Sequence, residues 1–465
     1  MRFIVRVTKW LAGLVVLALA GIAGWLAIAP PDLIRVASAY SAKIVCSNVF
    51  LAGRKADDVL AIDVQAPGHP ILGFVSVSVD ESAGTVSAGL FGLFGRMTAR
   101  HASGFGCSTV PDGDPAAAKA PDGPVADAAA PSDAIWPEGA RIEPSQNPAV
   151  AAILDDPAMT GPGMRAVVVV KDGRIVGERY GEGFSADTPL LGWSMTKTVN
   201  AALVGAIVGA GKLSTGQTSL LPEWANDARN SIALSDLLAM SSGLAFNEDY
   251  GDVTDVTRML YLEADMPGFA ASMPAETGPG EAFSYSSGTA NILARLWRNA
   301  LGDPVKAAAF PREALFKRLG MHSATLEMDA RGTFVGSSYL YATARDWARF
   351  GLFMLGDGTW AGQPILPAGW TSMMREPNPV SDIGFGPQYT KGQMWLNGHS
   401  AGTPDDEDPD EDFELPADAV WALGHDGQSM AVIPSEALVV LRMGLTPSKL
   451  GYKSQGMVQA LAKAL

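Results

Sequence analysis

Trp10 to Ala29 is a run of twenty residues without a single charge. As a helix rising 1.5 Å per residue it would be about 30 Å long, the thickness of a bilayer's hydrocarbon core. No other stretch restricts the chain so tightly. Arg2, Arg6 and Lys9 precede the run. A positive flank of this kind keeps the N-terminus in the cytoplasm and sends the following chain across. A cleaved signal peptide is the competing reading, but its apolar region is usually only about 7–15 residues long. An A-x-A pattern occurs at Ala27-Ile28-Ala29, where the following Pro30 disfavours cleavage, and another at Ala37-Ser38-Ala39 lies far from the run. The reading adopted is an uncleaved single-pass anchor over residues 1–30. It places the rest of the chain on the outer, periplasmic side of a cell's inner membrane.

The chain carries 34 basic and 49 acidic residues, a net charge of −15. That balance lacks the basic footprint of a nucleic-acid binder. The 48% of hydrophobic residues is enough for a large core. The two cysteines, Cys46 and Cys107, both lie shortly after the anchor. In a translocated segment, an even count favours one disulfide over two buried thiols. Two cysteines and five scattered histidines give no metal-ligand spacing, so no metal is expected. No feature encodes an oligomeric state.

Residues 31–110 read as a small extension, with strand-like alternation over Ile71 to Val79. Residues 111–140 read as a linker, because Pro111 to Pro137 is rich in Pro, Ala, Asp and Gly. The main domain spans 141–465. It opens on two apolar strands, Met164 to Val170 and Ile175 to Tyr180, joined by a turn that contains Asp172-Gly173. Helical patterns follow at Met195 to Ala210, Leu234 to Met240, Ala290 to Ala300 and Ala344 to Leu355. Strands return at Met430 to Ile433 and Leu438 to Met443. Strands at both ends with helices between predict an α/β sandwich whose first and last strands pair, with a helical insert. Residues 405–414 hold eight acids in ten positions and read as a solvated mobile loop, with a cation site or a substrate-repelling rim as the sharper alternative.

The chemistry centres on Gly192-Trp193-Ser194-Met195-Thr196-Lys197. The next residues, Thr198 to Val208, are almost wholly apolar and predict a buried helix. Ser194 then stands at its N-terminus with Lys197 one turn on, on the same face. A serine hydroxyl is a weak nucleophile until a base or cation assists it. A helix N-terminus supplies free N–H groups where an oxyanion develops. S-x-x-K by chance, with an N-capping serine and an unrelated lysine, is the bland alternative. This S-x-x-K, however, is the only one in the chain. Tyr285, in Pro279 to Gly288, is either packing or a general base whose phenolate character Lys197 would stabilise. Gly424-His425-Asp426-Gly427-Gln428 stands before an apolar strand, where glycines permit close backbone approach. An ordinary turn with a structural histidine is the alternative.

In this order the three segments resemble the active-site motifs of serine β-lactamases and penicillin-binding proteins. Ser194-Met195-Thr196-Lys197 matches S-x-x-K, Tyr285-Ser286-Ser287 resembles the Y-x-N of the class C branch, and His425-Asp426-Gly427 resembles K-T-G. Segments 231–244, 279–287, 315–329, 341–366 and 424–444 are also similar to that branch. Its esterase and 6-aminohexanoate-dimer hydrolase group looks nearest. The resemblance implies a β-lactamase-like sandwich of a mainly antiparallel sheet with flanking helices plus an all-helical insert. It implies a cofactor-free serine hydrolase working through an acyl-enzyme. Ser194 would be nucleophile, Lys197 its activator and Tyr285 the general base. The backbone N–H groups of Ser194 and Gln428 would form the oxyanion hole, and Ser287, His425 and Gly427 would line the substrate.

Two departures bear on substrate. Ser287 replaces the asparagine of Y-x-N, and His425 replaces the lysine of K-T-G. Histidine lacks lysine's fixed charge for a substrate carboxylate. The expected substrate is therefore a small carboxylic ester or linear amide rather than a penicillin. A D-Ala-D-Ala-type peptidase, a β-lactamase and a non-catalytic penicillin-binding-like sensor are the rival readings. No G-x-S-x-G surrounds Ser194, so an α/β-hydrolase elbow is not indicated.

Overall fold

The structure, a computed structural model, describes residues 2–113, 132–404 and 406–465. Most of the expected linker lies outside them. The chain divides into two compact units. The first comprises Met1–His101, Cys107–Ala118 and Asp249–Ala264, and the second comprises Ala102–Gly106, Lys119–Glu248 and Asp265–Leu465. Residues 249–264, which the sequence reading assigned to the main domain, thus group with the first unit.

The first unit begins with helix α1 (Arg2–Ile28). Over Phe3–Ile28 this helix is long and apolar enough to cross a membrane, and none of its most apolar stretch is buried in the protein. Pro30 and Pro31 break it, since proline cannot continue a helix from within. Helix α2 (Asp32–Ala52) follows and ends at Gly53, whose φ of 63° is the left-handed conformation that glycine adopts without strain. Its buried face, including Val36, Ala39, Ala42, Val45 and Cys46, packs beside an antiparallel sheet ordered β1 (Val75–Asp80), β2 (Thr85–Leu90), β3 (Phe94–Ala102), β4 (Gly106–Thr109). The strand expected from residue 71 starts only at Val75. Pro70 instead opens a 3-10 turn, in which the His69 ring accepts from the Ile71 amide. Cys46 and Cys107 form the expected disulfide, S–S 1.98 Å, and both are fully buried.

In the second unit β5 (Met164–Lys171) and β6 (Arg174–Tyr180) form the predicted hairpin, with Asp172 and Gly173 both at positive φ. The chain returns to the sheet with β7 (Val420–Gly424), β8 (Gln428–Ile433) and β9 (Leu438–Gly444). The order is β7-β8-β9-β5-β6, antiparallel throughout. The first and last strands therefore pair, Leu441 opposite Val168. One sheet face meets the terminal helices Pro148–Asp155 and Gln455–Ala464 through Val150, Leu154, Val458 and Leu461. Helix α3 (Met195–Gly209) packs on β7 and β8, and helix α5 (Ala344–Leu355) packs on β5, β8 and β9. A β-carbon on Gly351 would fall 2.6 Å from Val439 Cγ1, so only glycine lets α5 lie this close to the sheet. Helix α4 (Ser287–Leu301) packs across α3 in the helical portion between the strands. The antiparallel sheet with flanking helices is the predicted sandwich.

The disulfide closes a loop of 61 residues, and loop-closure entropy alone assigns such a bridge about 4 kcal/mol. Cys46→Ser/Cys107→Ser should lower the urea midpoint of the first unit's transition accordingly. An unchanged midpoint would contradict this. The oxidised protein should contain no titratable thiol before reduction.

Candidate active site

Ser194 is the N-cap of α3, and Lys197 follows in the first turn. The helix is buried on nearly all sides, so each of its polar side chains needs a partner. Thr196 Oγ1 accepts from the Leu340 amide and the Thr198 hydroxyl donates to Gln393 O. The Asn200 amide donates to Ala290 O of α4 and accepts from Trp297 Nε1. These bonds fix the helix that carries the serine. Trp193, just before it, has φ of 47°, a left-handed conformation costly for a bulky residue by about 1–3 kcal/mol. Gly192 next to it lies against the Trp347 ring, where a β-carbon would approach to 2.2 Å.

Lys197 is 1% exposed. Its ammonium donates to Ser194 Oγ at 3.0 Å, Ser287 Oγ at 3.0 Å and the Ser337 carbonyl at 3.1 Å. Three N–H groups thus meet three acceptors. Nζ also stands 4.7 Å from the centre of the Tyr285 ring. The Ser337 carbonyl reaches it because Gly336 presses on the Asn200 amide, where a β-carbon would come within 2.6 Å. Burial pushes the Lys197 pKa down to about 8, partly offset by the charge of Glu248. With one proton removed, the same geometry still works. Two N–H groups donate to Ser287 and Ser337, and the lone pair accepts from the Ser194 hydroxyl.

Glu248 escaped the sequence reading. It receives the Ser287 hydroxyl in a very short contact through Oε1 and the Ser287 amide at 2.8 Å through Oε2. That amide belongs to the first turn of α4, so the carboxylate sits on a helix N-terminus, which favours its charge. Burial still raises the Glu248 pKa, against the lowering effect of Lys197. Ser194, Lys197, Ser287 and Glu248 form one continuous chain of hydrogen bonds.

Tyr285 differs from expectation. Burial, followed by the charge of Glu248, raises its pKa, and only its interaction with the Ser194 hydroxyl lowers it. The phenolate character expected from Lys197 is therefore not favoured, chiefly because the phenol is buried and secondarily because Glu248 supplies an opposing charge. The ring is fixed against Trp395 at 5.1 Å and Tyr389 at 5.8 Å. Trp395 itself is half-buried.

The third motif forms a three-residue turn between β7 and β8. Gly424 packs on the Gly192 carbonyl, which a β-carbon would approach to 2.2 Å. His425 is exposed, its ring edge-on to Trp193 at 5.7 Å and its Nε2 3.6 Å from Asp426 Oδ1. Asp426 and Gly427 both hold positive φ, 57° and 80°. The turn's carbonyls all point inward. The Gln428 side-chain amide donates to His425 O and Asp426 O, and to Gly444 O across the sheet. Arg442, fully buried, donates to Gly427 O at 2.9 Å. Burial lowers its pKa only to about 10, so it stays charged at neutrality. It thereby polarises the very peptide whose N–H is that of Gln428. The His399 ring, its pKa pushed down to about 4 by burial, meets Gln428 O at 2.9 Å.

Two residues of the acidic segment are hydrogen-bonded into the fold. Asp408 accepts from Asn397, and Asp410 accepts from the Gly398 amide and the Gln455 side chain. Among the described residues, no group of three or more His, Cys, Asp or Glu side chains is placed to hold a metal.

The β-lactamase family model matches residues 154–446, more than half of the chain. The protein belongs to the β-lactamase family. It is a serine hydrolase. The 6-aminohexanoate-dimer hydrolase of Paenarthrobacter ureafaciens is 25% identical over 305 residues, 61% of this chain and 72% of that protein. The fold is shared with a family VIII carboxylesterase (TM-score 0.53, 16% identity, covering 70% of this chain and 99% of that one). It is also shared with a penicillin-binding protein homologue from Caulobacter crescentus (TM-score 0.52, 17% identity, covering 70% and 99%).

Two titrations test this geometry. Lys197 should lose its proton near pH 8, read by NMR of isotopically labelled lysine side chains. Glu248→Gln should move that titration to lower pH, since it removes the charge that holds the ammonium up. A move to higher pH would show that the two groups are not coupled in this sense.

Proposed function

We propose that the protein hydrolyses small, uncharged carboxylic esters or linear amides in two steps, with Ser194 as nucleophile. The observation that carries this reading is the Lys197 site: three matched acceptors around an amine whose pKa lies close to neutrality. At pH 7.5 roughly a quarter of such amines are neutral. Neutral Lys197 takes the Ser194 proton as Oγ attacks the carbonyl carbon. The negative charge that develops on the carbonyl oxygen is received by the N–H groups of Ser194 and Gln428, the latter on the peptide polarised by Arg442. The Lys197 ammonium, with the Tyr285 hydroxyl as neutral relay, returns the proton to the departing alkoxide or amine. Water then attacks the acyl-enzyme by the same route and frees the acid. Ser287 links Lys197 to Glu248, whose charge steadies the ammonium formed at each attack. His425 and Gly427 line the substrate beside Trp193.

Substrate class follows from charge. His425 carries no fixed cation for a substrate carboxylate, which supports neutral substrates over penicillins. The name of the Paenarthrobacter relative, a 6-aminohexanoate-dimer hydrolase, supports linear amides as a second class. For location, we infer that α1 stays in the inner membrane as a single-pass anchor and holds the hydrolase on the periplasmic side. The Cys46–Cys107 bond supports an oxidising compartment.

Ser194→Ala should lose at least roughly 10³-fold in kcat, as other serine-nucleophile knockouts do. An active alanine variant, or a serine-directed probe that labels another residue, would sink the assignment. The acid limb of the kcat/KM profile should rise with pH through about 8, as neutral Lys197 forms. For specificity, kcat/KM for neutral short-chain esters should exceed that for a chromogenic cephalosporin by at least about tenfold, or roughly 1.4 kcal/mol. His425→Lys should narrow the gap. Equal turnover of both by the wild type would refute the substrate reading and leave the nucleophile standing, and cleavage of D-Ala-D-Ala peptides would favour the peptidase.

A further inference from the structure

In the first unit, the turn between β2 and β3 is Phe91-Gly92-Leu93. Turn positions of this kind are normally taken by Gly, Asn, Asp or Ser. Here Phe91 is 58% exposed and Leu93 71% exposed. Phe91 moreover holds φ of 52°, a left-handed conformation unfavourable for a side chain of its size. Phe74, 56% exposed, joins them, its ring 5.6 Å from that of Phe91 and its carbonyl accepting the Phe91 amide at 2.7 Å. Beside them lies an open cavity of about 480 Å³, lined in part by Leu60, Val75 and Val77.

The two ends of this sheet differ in polarity. β1 and β2 pair from Val75–Leu90 at the apolar end to Asp80–Thr85 at the other. The far turn carries Asp80, Glu81 and Ser82, all exposed, roughly 17 Å away at about 3.3 Å per residue. The apolar end also adjoins the foot of α1. A β-carbon on Gly95 would lie 2.7 Å from Ile34 Cγ2 and 3.4 Å from Pro30 Cβ. Pro30 is two residues beyond the last residue of α1. Leu93 is two residues from Gly95, about 7 Å of extended chain. The cluster thus lies close to where the chain leaves α1, and interfacial apolar groups enter the headgroup and acyl boundary by roughly 5–10 Å.

We propose that Phe74, Phe91 and Leu93 insert into the surface of the bilayer that holds α1, giving the first unit a second membrane contact. The proposal rests on the anchor reading of α1. The occupant is lipid because the apolar cluster lies beside the chain's exit from α1 and the acidic turn lies at the opposite end. The contact would give the unit a second point of attachment besides its junction with α1 at Pro30-Pro31.

The test uses the full chain in phosphatidylcholine/phosphatidylglycerol vesicles. Because both native cysteines are bonded to each other, Leu93→Cys and Ser82→Cys each offer one thiol for an environment-sensitive fluorophore. Lipid bearing a nitroxide near the top of the acyl chain should quench the residue-93 label at least twofold more than the residue-82 label. Retention after a carbonate wash with equal or no quenching at residue 93 overturns the proposal and leaves the anchor intact. Release by the wash overturns the anchor and the proposal together. Crosslinking of residue 93 to residue 93 between copies assigns the patch to a second copy, and also overturns it.

Discussion

A lysine ammonium held away from water governs the second unit. The drop of the Lys197 pKa from 10.5 to about 8 corresponds to roughly 3 kcal/mol against the charged form. Such a group survives only where its protons are all taken and an opposite charge is near. Ser194, Ser287 and Ser337 take the protons, and Glu248 supplies the charge. Much of the local architecture follows from this requirement. Gly336 is bare so that the 336–338 segment can bring a carbonyl to Nζ. Asn200 ties α3 to α4, so that Lys197 and Ser287, 90 residues apart in sequence, stay at 3.0 Å.

Ser287 gains its meaning from the same network. Its hydroxyl accepts from Lys197 and donates to Glu248 in one step. At the position of the Y-x-N asparagine, Ser287 thus forms an internal electrostatic link between Lys197 and Glu248. A comparable arrangement holds the turn at residues 425–427. Its backbone is forced into positive φ at two consecutive positions, and its carbonyls are occupied by Gln428 and Arg442.

The sandwich was legible because its signals are local and repeated. Alternation, the Asp172-Gly173 turn and helical periodicity placed α5 at its observed ends and put β5, β6, β8 and β9 within one or two residues, while β7 was not anticipated. Ser194 and Lys197 were legible because one helical turn fixes their relation without any tertiary knowledge. Glu248 was not. It lies in an irregular stretch 39 residues from its partner Ser287, and neither its spacing nor its neighbours mark it. The inversion of the expected Tyr285 shift follows first from burial of the phenol and then from the charge of Glu248. Arg442 did leave a signal, as the single charge inside the apolar strand Leu438–Met443. A buried cation there had to find carbonyls, and it found Thr160, Pro162 and Gly427.

The acidic segment shows how a composition signal changes meaning once folded. Eight acids in ten residues suggest a chain repelled into solvent. Two of them are instead satisfied by backbone and amide donors, because Asp410 caps the Gly398 amide and holds Gln455. Gly398 is followed by His399, whose ring meets the carbonyl of Gln428. The acidic segment is therefore anchored one residue away from a side chain that touches β8. His399 is held neutral by burial and adds no compensating cation. Arg442, which bonds the turn, and Lys197 are both buried and committed to internal acceptors. On the proposed mechanism, an anionic substrate would gain no cation from these two, while a neutral carbonyl would need only the serine, the base and the N–H groups assigned to it. On the proposed reading, the arrangement would separate the machinery of acyl transfer from recognition of a substrate carboxylate.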